Sequence, residues 1–75
     1  MSDRLEAVSE QFGRNLAEAR GWEGLSQQQL AEQVALSQIE ISLLERGLQC
    51  PRLDLVVKLA SAVGVQVRDL LYGIE

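Results

Sequence analysis

The sequence predicts an all-α fold, a compact five-helix domain with a helix-turn-helix at its centre, and three observations carry that prediction. Two helix-start signatures follow each other closely: Ser26 with Gln29, and Ser37 with Glu40, are capping boxes. In each, the hydroxyl accepts from the third helical N–H while the later side chain reaches back to the cap. Leu25 and Leu30 flank the first box as a hydrophobic staple, and Leu36 and Ile41 flank the second. The second observation is the spacing, since only Ala35 and Leu36 lie between the first helix and the second cap. That is too little chain for an extended crossover, so the helices must meet at a steep angle. Third, two helices this short cannot bury a core alone, and apolar residues at helical spacing on either side supply their partners.

Taken in order, Leu5, Val8, Phe12, Leu16 and Ala19 recur every three or four residues and predict one amphipathic helix from Asp3 to Arg20. Ser9 with Gln11 and Phe12 offers a shorter start that would leave residues 1–8 as an arm, but the unbroken pattern favours the long helix. Gly13 inside it costs about 1 kcal/mol against alanine, which marks a close helix contact. Gly21 and Gly24 are expected to end the helix, and Trp22 between them to lie as a lid on the core. On the first helix of the central pair, Leu30, Ala31 and Val34 face inward. On the second, a wheel drawn from Ile41 puts Leu44 and Glu45 inside and Ile39, Ser42, Leu43 and Arg46 outside, with Gln38 at the edge. Pro51 closes a loop from Leu48 to Arg52 ahead of a fourth helix, about Arg52 to Val63, whose inner stripe is Leu55, Val56, Leu59, Ala60 and Val63. Gly64 with Val65 is a Schellman ending, and a short fifth helix from Val67 to Leu71 leads into an apolar tail.

Composition narrows the function classes. A chain of 75 residues has room for one domain with a marginal core, which a dimer would help. At 47% hydrophobic, with scattered charge and one proline, it is neither disordered nor membrane-spanning. The polar start lacks a secretory signal, so the cytoplasm is the expected compartment. One cysteine and no histidine exclude an intrachain disulfide and leave no metal site, no histidine-based triad and no cofactor to expect. With no nucleophile beside a base, the chain is not expected to be an enzyme. Eleven acids against seven bases give a net charge of −4, opposite to the usual footprint of a nucleic-acid binder. What matters for docking is the local field, which Arg46 and Arg52, flanking the loop after the third helix, can keep positive.

The ordered set Arg20, Gly24-Leu25-Ser26-Gln27, Leu30-Ala31, Ser37, Ile41-Ser42, Glu45-Arg46-Gly47, Pro51, Leu59-Ala60, Gly64-Val65 and Leu70-Leu71 resembles the lambda-repressor-like, or Cro/C1-type (XRE family), helix-turn-helix transcriptional regulators. It covers roughly Gln11 to Gly73. The resemblance implies one domain over 1–75, with the helix-turn-helix at about 26–46 and a C-terminal dimerisation edge at about 65–75. It implies a sequence-specific regulator that binds double-stranded operator DNA as a homodimer, the 37–46 helix lying in the major groove. It also implies a largely buried salt bridge between Arg20 and Glu45, and a phosphate contact by Gln27. Cro-type phage regulators, restriction-modification controllers and antitoxins all fit.

The expected DNA-facing residues are Gln27, Ser37, Gln38, Ile39, Ser42, Leu43, Arg46 and Arg52. Gln38 can pair with an adenine edge, and Ser42 can reach a base or a phosphate. Relatives often carry more polar residues at Ile39 and Leu43, which leaves thymine methyls, a protein partner or the core as their contacts, and serine where Arg52 stands, so the fourth helix lacks its usual cap. Glu40 is either occupied by its cap or accepts from a cytosine. Leu70, Leu71, Tyr72 and Ile74 are expected to divide between the core and the dimer edge. The competing class is an acidic protein-interaction module that uses Ile39 and Leu43 to hold a protein partner or antirepressor.

Overall fold

The computed structural model describes residues 2–75, with side chains from Arg4 onward. Met1, part of the expected arm and domain, lies outside the described residues. Among these the fold is five helices and no strand: α1 (Ser2–Glu23), α2 (Gln27–Val34), α3 (Gln38–Glu45), α4 (Leu53–Ala62) and α5 (Val67–Leu70). The all-α class and the helix-turn-helix at the centre are as the sequence predicts. α1 packs on α3 and α5, α4 on α2 and α5, and α2 on α3.

Both capping boxes form. Ser26 Oγ accepts from Gln29 N at 3.0 Å while Ser26 N donates to Gln29 Oε1 at 2.8 Å. Ser37 Oγ accepts from Glu40 N at 3.1 Å and Ser37 N donates to Glu40 Oε1 at 2.9 Å. Each box satisfies two donors that a helix start leaves unpaired, which fixes where α2 and α3 begin. α4 starts at Arg52 without a side-chain cap. α5 has a helper the sequence reading missed, Asp69 Oδ2 accepting from Gln66 N at 2.9 Å.

The core joins Phe12 and Leu16 of α1, Leu30, Ala31 and Val34 of α2, Ile41 and Leu44 of α3, Val56, Leu59 and Ala60 of α4, and Val63 and Leu70 beyond it. Three expectations need correction. Leu5 shares the α1 stripe but is 62% exposed, because the buried core of α1 begins two turns later, at Phe12, with Val8 between them only half-buried. Gly21 does not end α1; the helix runs through Trp22 to Glu23, and Gly24, at φ +78°, is the left-handed stop. There Leu25 N bonds Arg20 O at 3.1 Å and Gly24 N bonds Gly21 O at 3.1 Å, the double bond of a Schellman ending. With one more turn of helix, Trp22 points away from the core and is 87% exposed, so it is no lid. The ending expected after α4 does form, Val65 N bonding Ala60 O at 3.0 Å.

Two small residues set the geometry around α3. A Cβ on Gly13 would lie 2.5 Å from Leu44 O and 2.6 Å from Glu45 O, so the α1 backbone sits directly on the end of α3. Ala35 closes α2 at φ 59°, ψ 40°, a left-handed conformation that favours glycine, with Leu36 N bonding Ala31 O at 2.9 Å. These positions respond to substitution in opposite senses. Gly13→Ala gains helix propensity but overpacks a backbone contact, and is expected to lower stability by about 1–3 kcal/mol in urea unfolding. Ala35→Gly relieves the left-handed strain and is expected to raise stability by about 1 kcal/mol, or roughly 5 °C in Tm for a domain of this size.

Candidate nucleic-acid interface

The exposed side of α3 follows from which residues the core takes. Ile41 and Leu44 are fully buried, and the α1 contact covers the Glu45 side. Turning outward are Gln38 and Arg46, both exposed, Ile39 at 73% exposure, and Ser42 and Leu43, both half-buried. These five positions form one continuous face at helical spacing. The wheel places Leu43 further out than the structure does, because its flank rests against the protein.

One ionic cluster holds that face in place. Arg20 Nε donates to Glu45 Oε2 at 2.6 Å and a terminal guanidinium nitrogen donates to Oε1 at 3.0 Å, a two-pronged pair with the Glu45 side chain only 6% exposed. The other terminal nitrogen of Arg20 donates to Leu25 O at 2.9 Å. The hydrogen bonds and charge of Glu45 raise the Arg20 pKa above its ordinary value against the opposing effect of burial, so the guanidinium stays charged. Gln27 Nε2 adds a third donor to Glu45 Oε1 at 2.9 Å. α1, the entry to α2 and the end of α3 are thus tied at one carboxylate.

The remaining candidate residues are placed as follows. Gln27 is in the first turn of α2, with its amide partly engaged by Glu45, a tie that its first-turn position gave no signal for. Ser37 uses its oxygen as an acceptor for the α3 cap and keeps its hydroxyl proton free to donate. Glu40 is taken up by the same cap. Arg52 is exposed at the α4 start, 3.5 Å from Asp54 in a solvent-screened pair, which leaves its guanidinium available. The five outward positions of α3 therefore carry neutral side chains and Arg46, with Glu45 bonded inward and Glu40 bonded at the exposed cap.

The tail residues do not form one edge. Leu70 is fully buried in the protomer and has no surface to offer a second copy. Leu71 and Ile74 line an apolar cleft of about 110 Å³ with Val8, Cys50, Pro51 and Val56. Tyr72 instead lines a separate cavity nearer the C-terminal end of α1. Among the described residues there is no cluster of side chains suited to a metal ion, and no helix is long and apolar enough to cross a membrane.

Comparison with known proteins places this architecture. The family described as a helix-turn-helix domain matches residues 11–71. The chain belongs to the Cro/C1-type (XRE) helix-turn-helix family of DNA-binding transcription regulators. The restriction-modification controller protein C.AhdI from Aeromonas hydrophila is 35% identical, with a TM-score of 0.82 over 87% of this chain and 94% of that one. The clp gene regulator ClgR from C. glutamicum is 31% identical, with a TM-score of 0.83 over 85% and 82%. A hypothetical transcription factor, NHTF from Neisseria, is 31% identical, with a TM-score of 0.80 over 85% and 74%. Among curated proteins, no sequence match was found.

In this member of the Cro/C1-type family, the Arg20–Glu45 pair is expected to dominate the rigidity of α3. Arg20→Ala strands a nearly buried carboxylate and is expected to cost about 3–5 kcal/mol. Arg20→Met combined with Glu45→Leu removes both charges and should recover most of that loss, and chemical denaturation of the three proteins measures the difference.

Proposed function

We propose that the protein binds operator DNA as a dimer, with α3 in the major groove. The observation that carries this reading is the continuous outward face of Gln38, Ile39, Ser42, Leu43 and Arg46, held on the core by the buried Arg20–Glu45 pair. Gln38 presents an amide able to pair with the N6 and N7 edge of adenine, while Ile39 and Leu43 suit thymine methyl groups. Phosphate contacts come from Arg46 and Arg52, the free hydroxyl proton of Ser37, and the start of α2. There the Gln27 backbone N–H and its second amide hydrogen lie in a first turn whose dipole favours an anion.

The second copy packs on the cleft lined by Leu71 and Ile74. Leu5 and Leu53 stand one helical step from Val8 and Val56 of that cleft and are 62% and 74% exposed, so an apolar surface wider than the cleft is open to a partner. Covering it would add burial to a core that is small for a free monomer.

Fluorescence anisotropy against duplex fragments including the upstream region of the gene tests the whole reading. Tight binding to one fragment is expected, with two chains per duplex and a steep salt dependence. Arg46→Ala is expected to weaken binding to every duplex and to reduce the salt slope by about one. Absence of binding by the folded protein at low salt would overturn the reading, and a stoichiometry of one chain per duplex would remove the dimer.

A further inference from the structure

The chain has one phenylalanine, one tryptophan and one tyrosine. Phe12 is buried, whereas Trp22 and Tyr72 are 87% and 77% exposed. Leaving both in water forgoes some of the largest burial terms open to a small core. These two residues come from distant parts of the chain and line one cavity of about 400 Å³ between the end of α1, the end of α4 and α5. Its apolar lining is Ala19, Val63 and Val65, and Glu18, Glu23 and Asp69 stand around it. Among the described residues, none of these three carboxylates is in an ion pair. Asp69 gives one oxygen to the α5 cap. The Tyr72 wall is anchored, since Asn15 Nδ2 donates to Leu70 O at 2.9 Å and to Tyr72 O at 2.8 Å.

We propose that this cavity is the docking site for an arginine-bearing basic surface of a protein partner. A guanidinium is attracted by the faces of indole and phenol rings, and its fork of N–H groups bonds carboxylates with charge assistance. The cavity combines both features around apolar lining that receives the methylene stem. An anion is repelled there, so the site takes no phosphate and no DNA. A second copy is disfavoured as well, because a two-fold contact would set Glu18, Glu23 and Asp69 against their own equivalents. A free organic cation lacks enclosure: small-molecule pockets bury about 70–90% of their ligand, while both rings here lie largely in water. A protein supplies the missing cover, and exposed tryptophan and tyrosine are the side chains that most often carry such interfaces.

The site lies on the α1 face that meets α5, whereas Gly13 marks the face that meets α3. On the operator reading above, on which only this regulatory use rests, the site stays open while α3 occupies the groove. A DNA-bound protein can then hold a basic partner beside the operator.

Trp22 is the sole tryptophan, so its fluorescence reports directly. The full chain, without DNA and at about 150 mM salt, is titrated with tri-arginine amide, tri-glutamate and arginine amide. A saturable response to tri-arginine and none to tri-glutamate is expected, with arginine amide about tenfold weaker because it makes one contact rather than several. Glu18→Gln with Glu23→Gln is expected to weaken tri-arginine binding by about fivefold or more, and Tyr72→Leu to weaken it too. Glu32→Gln, an exposed acid on α2, should leave it unchanged, as should all these variants the circular dichroism. An unsaturable response, or equal losses in the Glu32 and cavity variants, overturns the site. Arginine amide binding as tightly as the peptide overturns the protein partner in favour of a small cation. With no DNA in the titration, its failure leaves operator binding standing, and failure of operator binding leaves the titration readable.

Discussion

The carboxylate of Glu45 is the point on which the arrangement of helices depends. It sits nearly out of solvent at the end of α3 and receives donors from Arg20 on α1 and Gln27 on α2, while Arg20 also holds the carbonyl of Leu25 at the entry to α2. A buried ion pair gains little net stability over apolar residues of similar size, because desolvation offsets most of the attraction. What it adds is direction, since a forked pair with a third donor accepts only one relative placement of three helices. Gly13 makes that placement attainable by letting the α1 backbone reach the Leu44 and Glu45 carbonyls. The close contact brings Arg20 within reach, and the pair then fixes the angle at which α3 leaves the core.

The same cluster bears on the distribution of charge around α3 in a chain of net charge −4. Of the carboxylates on or beside α3, Glu45 is paired with Arg20, Glu40 is bonded to the backbone of its own cap and Asp54 stands beside Arg52, while Glu10 of α1 lies against Gly47 just past the helix end. Glu18, Glu23 and Asp69 lie around the cavity at the C-terminal end of α1, on the side where that helix meets α5 rather than α3.

What the sequence made legible follows the range of the rules involved. The capping boxes at Ser26 and Ser37 and the ending at Gly64 are contacts within a few residues, and local pattern identifies them. The inward residues of α2, α3 and α4 follow from helical period because each of these helices has one covered side. Leu5 breaks the same rule for a tertiary reason, since α1 starts before the core it packs against, whereas the expected lid at Trp22 fails because the helix runs on past Gly21 and carries the ring into solvent. Gln27 was legible as a first-turn residue but not as a partner of Glu45, because that bond requires knowing how α2 sits on α3. Asn15 carried no pattern at all, and only the fold brings it to the carbonyls that shape the tail.

The tail shows how one short segment can serve two surfaces. Leu70 enters the core, and the turn that follows sends Leu71 and Ile74 toward the N-terminal half of α1 and Tyr72 toward its other end. An unbroken helix would have placed Leu70 and Ile74 on one face, but α5 stops after a single turn, with Leu71 N on Arg68 O at 3.2 Å and Ile74 N on Leu71 O at 3.0 Å. The apolar cleft and the aromatic cavity are consequently separate, with opposite chemistry: one has only apolar lining and the thiol of Cys50, and the other is ringed by carboxylates. On the reading developed above, a second copy and a basic partner would occupy different ends of α1 and would not compete. Because Asn15 fixes the carbonyls on both sides of Leu71, binding at either end would act on the same stretch of backbone.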